Sequence, residues 1–539
     1  MARASVESAV TAALVAAIAL GFFVRGFHVL SSDFPLNDGG MFYAMARDLQ
    51  HNAYRLPEFT TYNSADIPFT YPPLGFYASA LLDDLTPLSL IQVFRWLPLV
   101  ATCLTVPAFY LLARSMLPSR IAVVAAVLAF ALVPRSFMWL LMGGGVTRSL
   151  GFLFAILALY FVHRLYAKTD RRALPWAMLL SALTVLSHLE TGWFLAFSIG
   201  LFFLAFARNR RGIEESVVLA TGTLVLTAVW WVPVFLMHGL EPLTTVFGTG
   251  GSIFSGGAAT RDAYLGLLRL ISTSEPLFPL IGVLAACGAL ACIATHRYFL
   301  PVWWAAIILL DVRAFPTFTC IPVAMMAGIC VHEVLLPMLS NGLQREPATP
   351  NRPVFQQRLT MSAVIGAFVI FALASALLRS SGLGGEASNL RGLSDEELAA
   401  LEWVKDETPA GSTFLVMPDS SWETAKTAEW FPVLAGRTSI ATVQGTEWLA
   451  NGGFKRTRDI FDDAYRCGYQ TSECLDLLAT ENRIAFDYVY IRKGDLGQCC
   501  TTLLASLESD DGYQRVYDDE GASIFLRKDQ DGPSVRAPQ

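Results

Sequence analysis

The stretch SSDFPLNDGGMFYAMARDLQHNAYRLPEFTTYNSADIPFTYPPLGFY, residues 31–77, is the first long polar segment after an apolar N-terminus. It contains Asp33, Asp38 and Asp66, a Gly-Gly step directly after Asp38, and a Pro-Pro pair that leads into an aromatic run. The runs GGMFYAMARDLQ and PPLGFYASALLDDL repeat apolar residues at helical spacing but are too short to cross a bilayer. They predict two amphipathic helices that lie in the membrane interface.

The composition indicates a membrane protein with a water-soluble part. Of the 539 residues, 54% are hydrophobic and only 16% are charged, whereas soluble domains contain about 25% charged residues. Residues 1–390 hold 24 basic and 19 acidic side chains, and residues 391–539 hold 15 basic and 26 acidic ones. A mildly basic, apolar part is therefore joined to an acidic, soluble part.

Eleven apolar segments are candidate transmembrane helices, since a span takes about 20 apolar residues. They are 8–30, 89–113, 121–141, 147–167, 173–189, 191–207, 216–237, 276–294, 299–312, 316–338 and 359–379. Every second loop between them is basic, so the positive-inside rule places those loops and the N-terminus in the cytoplasm. The N-terminal segment is interpreted as a retained helix rather than a signal peptide. The predicted fold class is a polytopic α-helical membrane protein of about eleven spans, with a small α/β domain outside the cytoplasm.

The predicted domains follow from this topology. The transmembrane domain covers 1–380, with outer loops at 31–88 and 238–275, and a linker at 381–393 leads to the soluble domain at 394–539. That domain begins with a capping-box helix, formed by Ser394 and Glu397, and continues with short apolar strands and amphipathic helices. Its four cysteines predict two disulfides in an oxidising compartment, with the pairing left open: Cys467, Cys474, Cys499 and Cys500.

Ionisable residues beside membrane spans are functional-site hypotheses because they are costly to place there. The topology brings eight of them to the outer surface: Asp33, Asp38, Asp66, Arg148, His188, Glu190, Asp311 and Arg313. Each has a structural alternative. Asp38 is also suited to cap the helix that follows it, and Arg148 to anchor its helix at the interface. His188 with Glu190 is then a turn pair, and Asp311 with Arg313 a structural ion pair.

The chain resembles the GT-C superfamily of integral membrane glycosyltransferases, in particular the protein O-mannosyltransferase and lipid A aminoarabinose transferase type. The resemblance is carried by Asp38 before the first interfacial helix, by YPPLGFY at 71–77, and by the plan of spans and outer domain. GGGVTR, SHLE and the tail segment WETAKTAEWFPVLAGRTSIATVQGTEW (422–448) are similar to segments of prokaryotic members. Two neighbouring acids are common in the superfamily, but Asn37 and Gly39 flank Asp38 here. A second acid is therefore expected from elsewhere in the chain.

The resemblance implies that a sugar moves, with inversion, from a polyprenyl-phosphate donor to a hydroxyl of a protein, lipid or glycan acceptor at the outer face of the plasma membrane. Asp38 is then the general base, with Asp66 as a second catalytic acid. The lipid phosphate is assigned to Arg148, Arg313, Arg261 and Arg269, and the sugar or acceptor to His188, Glu190, Tyr71, Asp33 and Glu275. No cofactor is firmly implied, and a divalent metal held by Asp38 and Asp66 is a further hypothesis.

Other functions remain open at this point. Within the enzymes, the alternatives are an oligosaccharyl-type or cell-wall arabinosyl-type transferase. Outside them, the chain is a lipid transporter or flippase, or a membrane scaffold without catalysis. A transporter is expected to carry polar residues and broken helices near the bilayer midplane, and the predicted spans have charge mainly at their outer ends. The sequence contains no nucleic-acid-binding motif, so no nucleic-acid partner is expected.

Overall fold

The structure is a computed structural model that describes residues 2–242, 244–245, 261, 265, 273–311, 313–339, 354–381, 390–449, 452–493 and 499–528. Most of the second predicted outer loop, including Arg269, lies outside these residues, as does most of the predicted linker.

Helices make up the membrane part and its first outer loop. They are α1 (Ala2–Leu30), α2 (Gly40–His51), α3 (Leu74–Leu85), α4 (Leu90–Met116), α5 (Arg120–Leu132), α6 (Met138–Leu141), α7 (Gly145–Ala167), α8 (Leu174–Ser187), α9 (Leu189–Phe206), α10 (Arg210–His238), α11 (Leu280–Ala294), α12 (Phe299–Leu310), α13 (Phe315–Phe318), α14 (Cys320–Cys330) and α15 (Val354–Ser381). A π-helical turn, Val331–Leu335, continues α14. Among the described residues, seven helical segments are long and apolar enough to cross a membrane, or eight when one bent pair is taken as a single span. A multi-span membrane protein is therefore supported, while the count of eleven stays a prediction.

The bent pair consists of α5 and the short helical turns at Pro134–Leu141, which meet at an angle of 80°. Pro134 follows α5 directly, and proline cannot continue a helix because it lacks an amide hydrogen. The fully buried Arg25 of α1 stabilises the break by donating to the Ala131 carbonyl at 2.8 Å and to the Ser136 hydroxyl at 3.0 Å. Freed backbone at this depth needs such internal partners. Arg25 is thus an intramembrane charge with a structural role.

The two helices predicted for the first outer loop are present as α2 and α3, and their place in the membrane interface stays a prediction. Between them a two-stranded antiparallel ribbon pairs β1 (Phe59–Thr60) with β2 (Ile67–Pro68). The buried Asp48 of α2 accepts hydrogen bonds from both Thr60 and Thr61 and so fixes the ribbon to the helix. The first outer loop is therefore an ordered platform.

The outer domain contains helices α16 (Asp395–Glu407), α17 (Lys426–Leu434), α18 (Gly453–Cys467), α19 (Glu473–Asn482) and α20 (Thr501–Ser509). Its strands are β3 (Thr413–Val416), β4 (Thr438–Ser439), β5 (Tyr488–Arg492), β6 (Tyr513–Asp518) and β7 (Ala522–Arg527). They form one mixed sheet in the order β4-β3-β5-β7-β6, with β3 parallel to both of its neighbours and β7 antiparallel to both of its own. The predicted capping box at the start of α16 is confirmed.

Two disulfides are formed in the outer domain. Cys467 pairs with Cys474, and Cys499 pairs with Cys500. The structure thus decides a pairing that the spacing of the four cysteines left open.

The outer domain docks on the first outer loop through α17. Trp430 is fully buried and donates its indole N–H to the Asn37 carbonyl at 2.8 Å. The Tyr62 hydroxyl donates to the Glu429 carbonyl at 2.7 Å, and Asn63 and Ser439 exchange two hydrogen bonds of 2.8 Å. Burial of one large apolar side chain contributes roughly 2–3 kcal/mol, so this interface holds the domain over the loop.

Candidate active site

A cavity of about 560 Å³ lies between the membrane part and the docked outer domain. This volume is within the usual range for small-molecule sites. The charged residues in its wall are Asp38, Arg135, Arg148, Glu190, Asp311, Arg313, Glu423, Glu429 and Glu447. Its aromatic wall residues include Tyr71, Trp139, Trp193, Trp422 and Trp448. Several of these residues were predicted to lie at one membrane face, and in the structure they line one cavity.

Asp38 is held at the cavity by two partners from α7. Its carboxylate accepts from the Gly144 amide at 2.8 Å and from the Arg148 guanidinium at 2.9 and 2.6 Å. The free amides at a helix N-terminus attract a negative charge, and Arg148 lies one turn further along the same helix face. The alternative of a simple N-cap is wrong, because Gly39 precedes α2 and no side chain caps that helix.

Arg148 is buried rather than an interfacial anchor, with only 7% of its surface exposed. Its guanidinium carbon lies 4.2 Å from the centre of the Trp139 ring, a cation–π contact. Its Nη2 binds Asp38, while its Nε has no hydrogen-bond partner among the described residues. Arg148 therefore neutralises and orients Asp38 first, and its role toward a phosphate stays a prediction.

Glycines allow the two chain segments around Asp38 to approach each other. A Cβ on Gly143 would lie 2.1 Å from the Asp38 carbonyl oxygen. A Cβ on Gly40 would lie 2.3 Å from the Glu429 carbonyl oxygen, so the Gly-Gly step lets α17 pack on the start of α2. Gly143 of GGGVTR thus permits close packing of two backbone segments of the same chain.

Glu429 of α17 is the acid that the sequence analysis expected from elsewhere. Its side-chain Oε1 accepts from the amide of Gly39, the residue after Asp38, at 2.9 Å. It lines the same cavity, is 6% exposed, and forms no ion pair with any described residue. Burial, followed by the nearby charge of Asp38, raises the pKa of Glu429 to about 8.

Besides Arg135, whose Nε donates to the Ser274 hydroxyl, a second cavity cation without an ion pair among the described residues is Arg313. It follows α12, its side chain is exposed, and within the described part of the chain it forms no ion pair. The structural ion pair with Asp311 is not formed, because Asp311 instead accepts from the Ala314 amide at 2.9 Å through one oxygen. The other oxygen of Asp311 is buried and has no hydrogen-bond partner among the described residues.

His188 and Tyr71 form the neighbouring wall. His188 caps α9 through its Nδ1, which accepts from the Thr191 amide at 3.2 Å, so its other ring nitrogen carries no part of the cap. Glu190 lines the cavity two residues later. Burial raises the pKa of Tyr71 to about 12, so its hydroxyl keeps its proton at neutral pH and can donate a hydrogen bond.

The outer domain forms the roof of the cavity. Its contribution comes from the tail segment 422–448: Trp422, Glu423, Glu429, Gln444, Gly445, Glu447 and Trp448. Burial raises the pKa of Glu447, which favours its protonated form. A roof of two indole rings, an amide and carboxyl groups offers both flat apolar surfaces and hydrogen-bonding groups, as a sugar ring requires.

Five predicted site residues are not placed in this wall. Asp33 is fully exposed, 3.5 Å from Arg95, and Asp66 is exposed on the loop before β2. Glu275 accepts from the Ile281 and Gly282 amides and so caps α11. Arg261 is described but does not line the cavity, and Arg269 lies outside the described residues.

The residues present do not fit a divalent metal held by Asp38 and Asp66. Both oxygens of Asp38 bind Arg148, and Asp66 lies away from the cavity wall. No group of three His, Cys, Asp or Glu side chains suited to a metal ion is found in the described part of the chain. No step below therefore depends on a metal.

Comparison with known proteins identifies the fold. The sequence model of the family described as dolichyl-phosphate-mannose-protein mannosyltransferase matches residues 70–234. Among solved structures, the oligosaccharyltransferase AglB from Archaeoglobus fulgidus, in complex with an inhibitory peptide and a dolichol-phosphate, superposes with a TM-score of 0.55 at 13% identity. That match covers 98% of this chain and 75% of AglB. The chain has the GT-C fold.

Two further structures with this fold are similar. The arabinofuranosyltransferase AftD from Mycobacteria gives a TM-score of 0.54 at 15% identity, covering 96% of this chain and 40% of AftD. ArnT from Cupriavidus metallidurans, bound to undecaprenyl phosphate, gives 0.51 at 14% identity, covering 96% of this chain and 99% of ArnT. Comparison with curated protein sequences gives no match. The predicted resemblance to the GT-C superfamily is thus confirmed for the fold.

Sequence reasoning missed the acids of the roof. Glu423, Glu429 and Glu447 all lie in the tail segment that was noticed for its similarity but given no chemistry. Its only local signal was the clustering of Trp and Glu in WETAKTAEW and GTEW. Placing that segment over Asp38 required the docking of the outer domain.

Proposed function

We propose that the protein is a glycosyltransferase that moves a sugar from a polyprenyl-phosphate donor to a hydroxyl acceptor at the outer membrane face. The observation that carries this proposal is the Asp38 carboxylate, buried, oriented by Arg148 and Gly144, and facing a cavity that also contains Arg313. A general base and a free cation in one enclosed site are the two groups that such a transfer needs. The orientation of the chain in the plasma membrane, N-terminus inside and outer domain outside, is part of the proposal.

Asp38 accepts the proton of the acceptor hydroxyl as its oxygen attacks the anomeric carbon. The bond from that carbon to the phosphate oxygen breaks, and its electron pair leaves with the lipid monophosphate. Attack and departure occur on opposite sides of the carbon, so the configuration inverts. Among the described residues of the cavity wall, Asp38 is the carboxylate that forms an ion pair with an arginine, and this contact holds it in place.

Arg313 stabilises the charge that develops on the leaving phosphate. An arginine binds phosphate oxygens through two parallel N–H groups. Arg313 forms no ion pair with a described residue, although Glu190, Glu447 and Glu423 lie near enough to interact with its charge. The positive charge of Arg148, which is bound to Asp38, adds to this stabilisation of the leaving phosphate. Arg261 and Arg269 remain proposed ligands of the lipid phosphate, for the case in which the second outer loop closes over the site.

The sugar and the acceptor bind between Tyr71 and His188 on the membrane side and the roof on the other. Trp422 and Trp448 provide stacking surfaces, while Gln444, Glu423 and Glu190 provide hydrogen-bonding groups. An oligosaccharyl-type or arabinosyl-type transferase remains the alternative within the enzymes.

The test begins with the lipid-linked sugar that co-purifies with the protein, identified by mass spectrometry. Transfer from that donor is then measured for the wild type and for Asp38→Asn. We expect the wild type to release polyprenyl monophosphate and the variant to bind the donor without release. Lipid translocation without any glycosyl transfer would instead support the flippase alternative.

A further inference from the structure

The Asp38 site contains two buried acids, Asp38 and Glu429, and one cation, Arg148, that is bound to Asp38. Both carboxylate oxygens of Asp38 accept hydrogen bonds from the Arg148 guanidinium, whereas Glu429 forms no ion pair with any described residue. Two adjacent carboxylates in a site with little water cannot both ionise easily, because each charge opposes the other. A single arginine balances a single negative charge, so the pair is neutralised best when one acid keeps a proton.

The geometry decides which acid that is. Asp38 accepts a helix-terminal amide and a guanidinium, both of which stabilise its charged form. Glu429 instead accepts from backbone amides, those of Gly39 and Met41, and is otherwise enclosed by α17 and the Gly39-Gly40 step. These neutral hydrogen bonds offset only part of the cost of burying a full charge, and Glu429 has no cation as an ion-pair partner among the described residues.

The groups around Glu429 also favour a proton on Glu429 and the negative charge on Asp38. The cation nearest to it is Arg148, and that residue is bound to Asp38. The buried Tyr62 donates to the Glu429 backbone carbonyl rather than to its carboxyl group. On the same helix, Lys426 donates to Glu397 at 2.9 Å, and the other two roof acids, Glu423 and Glu447, add no positive charge.

We propose that Glu429 is the second acid of the site: it holds a proton beside Asp38, and its hydrogen bond with the Gly39 amide fixes Asp38 toward the cavity. This inference rests on the proposed function and makes the outer domain a necessary part of the site. Glu429 is thus a positioning residue that keeps the pair at one negative charge, located on Asp38. The outer domain completes the site only when it is docked, since α17 carries this group.

The test uses infrared spectroscopy of the purified full-length protein in detergent micelles, which needs no sugar donor. The difference spectrum between wild type and Glu429→Gln should contain a protonated-carboxyl C=O band that disappears as the pH rises through about 8. Gln keeps an oxygen that accepts from Gly39, so this variant should fold. Glu423→Gln is the matched control, because it removes another roof acid and should leave that band in place.

A second measurement tests the coupling of the pair. In Asp38→Asn the neighbouring negative charge is gone, so the Glu429 band should disappear at lower pH than in the wild type. A band that does not depend on Glu429, or a midpoint that Asp38→Asn does not move, would overturn the inference. Loss of the base assignment would be seen separately, as glycosyl transfer that survives in Asp38→Asn while the band behaves as described.

Discussion

Asp38 and Arg148 meet at 2.6 Å although 110 residues separate them in the chain. Both are buried, so each is the other's replacement for water. The contact joins the first outer loop to the N-terminal end of α7, and it orients the carboxylate toward the cavity.

Asp38→Asn should abolish transfer without unfolding the protein. A general base contributes about 10²–10⁴-fold to a rate, and Asn cannot accept the proton. Its amide oxygen still accepts from Gly144 and Arg148, so binding of undecaprenyl monophosphate should stay close to wild type. Transfer at a near wild-type rate in this variant would remove the base assignment.

Arg148→Ala and Arg313→Ala should have different effects. Removal of Arg148 leaves a buried carboxylate without its partner, which costs about 3–5 kcal/mol of unfolding free energy. Removal of Arg313 breaks no ion pair of the described structure, so stability should hold while undecaprenyl monophosphate affinity falls about 10- to 100-fold.

Thermal unfolding and lipid binding, measured on both variants, distinguish these outcomes. The matched control is Arg210→Ala, which removes an arginine that is 94% exposed and pairs only with Glu214 of its own helix. It should change neither quantity. Equal losses of stability in Arg148→Ala and Arg313→Ala would contradict the assignment of separate roles.

Gly143→Ala should disrupt the site through packing alone. Its Cβ would lie 2.1 Å from the Asp38 carbonyl oxygen, and backbone at that position cannot move without shifting Asp38. We expect a loss of both stability and transfer. Gly200→Ala in α9 is the control, because no atom lies within 4 Å of its added Cβ, and it should be neutral or slightly stabilising.

The stability of the protein should depend on pH through Glu429. Its pKa is raised from 4.5 to about 8 in the folded protein, so the folded state holds a proton that the unfolded chain releases above pH 4.5. The stabilisation is therefore complete below that pH and is lost as the pH rises through about 8.

The thermal unfolding temperature of the wild type should accordingly fall relative to that of Glu429→Gln as the pH rises from 4.5 to about 8. The difference between the two proteins should then stay constant at higher pH, because both states have released the proton. Parallel curves across the whole window would show that Glu429 does not titrate as described.

Much of the fold could be predicted from local patterns. Apolar segments with basic loops on alternate sides indicated a multi-span protein, and helical spacing indicated the two interfacial helices now seen as α2 and α3. The capping box at Ser394 was readable because its two hydrogen bonds lie within one turn. The structural alternatives for Asp38 and Arg148 were wrong for the opposite reason, since the partner of each lies in a distant segment.

The sequence by itself determined the membrane character, the acidic outer domain and the concentration of ionisable groups at one surface, because composition and periodicity are local properties. Only the tertiary structure decided which groups meet. It placed Asp38 on Arg148, left Asp33 and Asp66 exposed, and brought Glu429 from 390 residues beyond Gly39 to the Gly39 amide. Such contacts depend on how α17 packs on a Gly-Gly step, and no spacing along the chain encodes that distance.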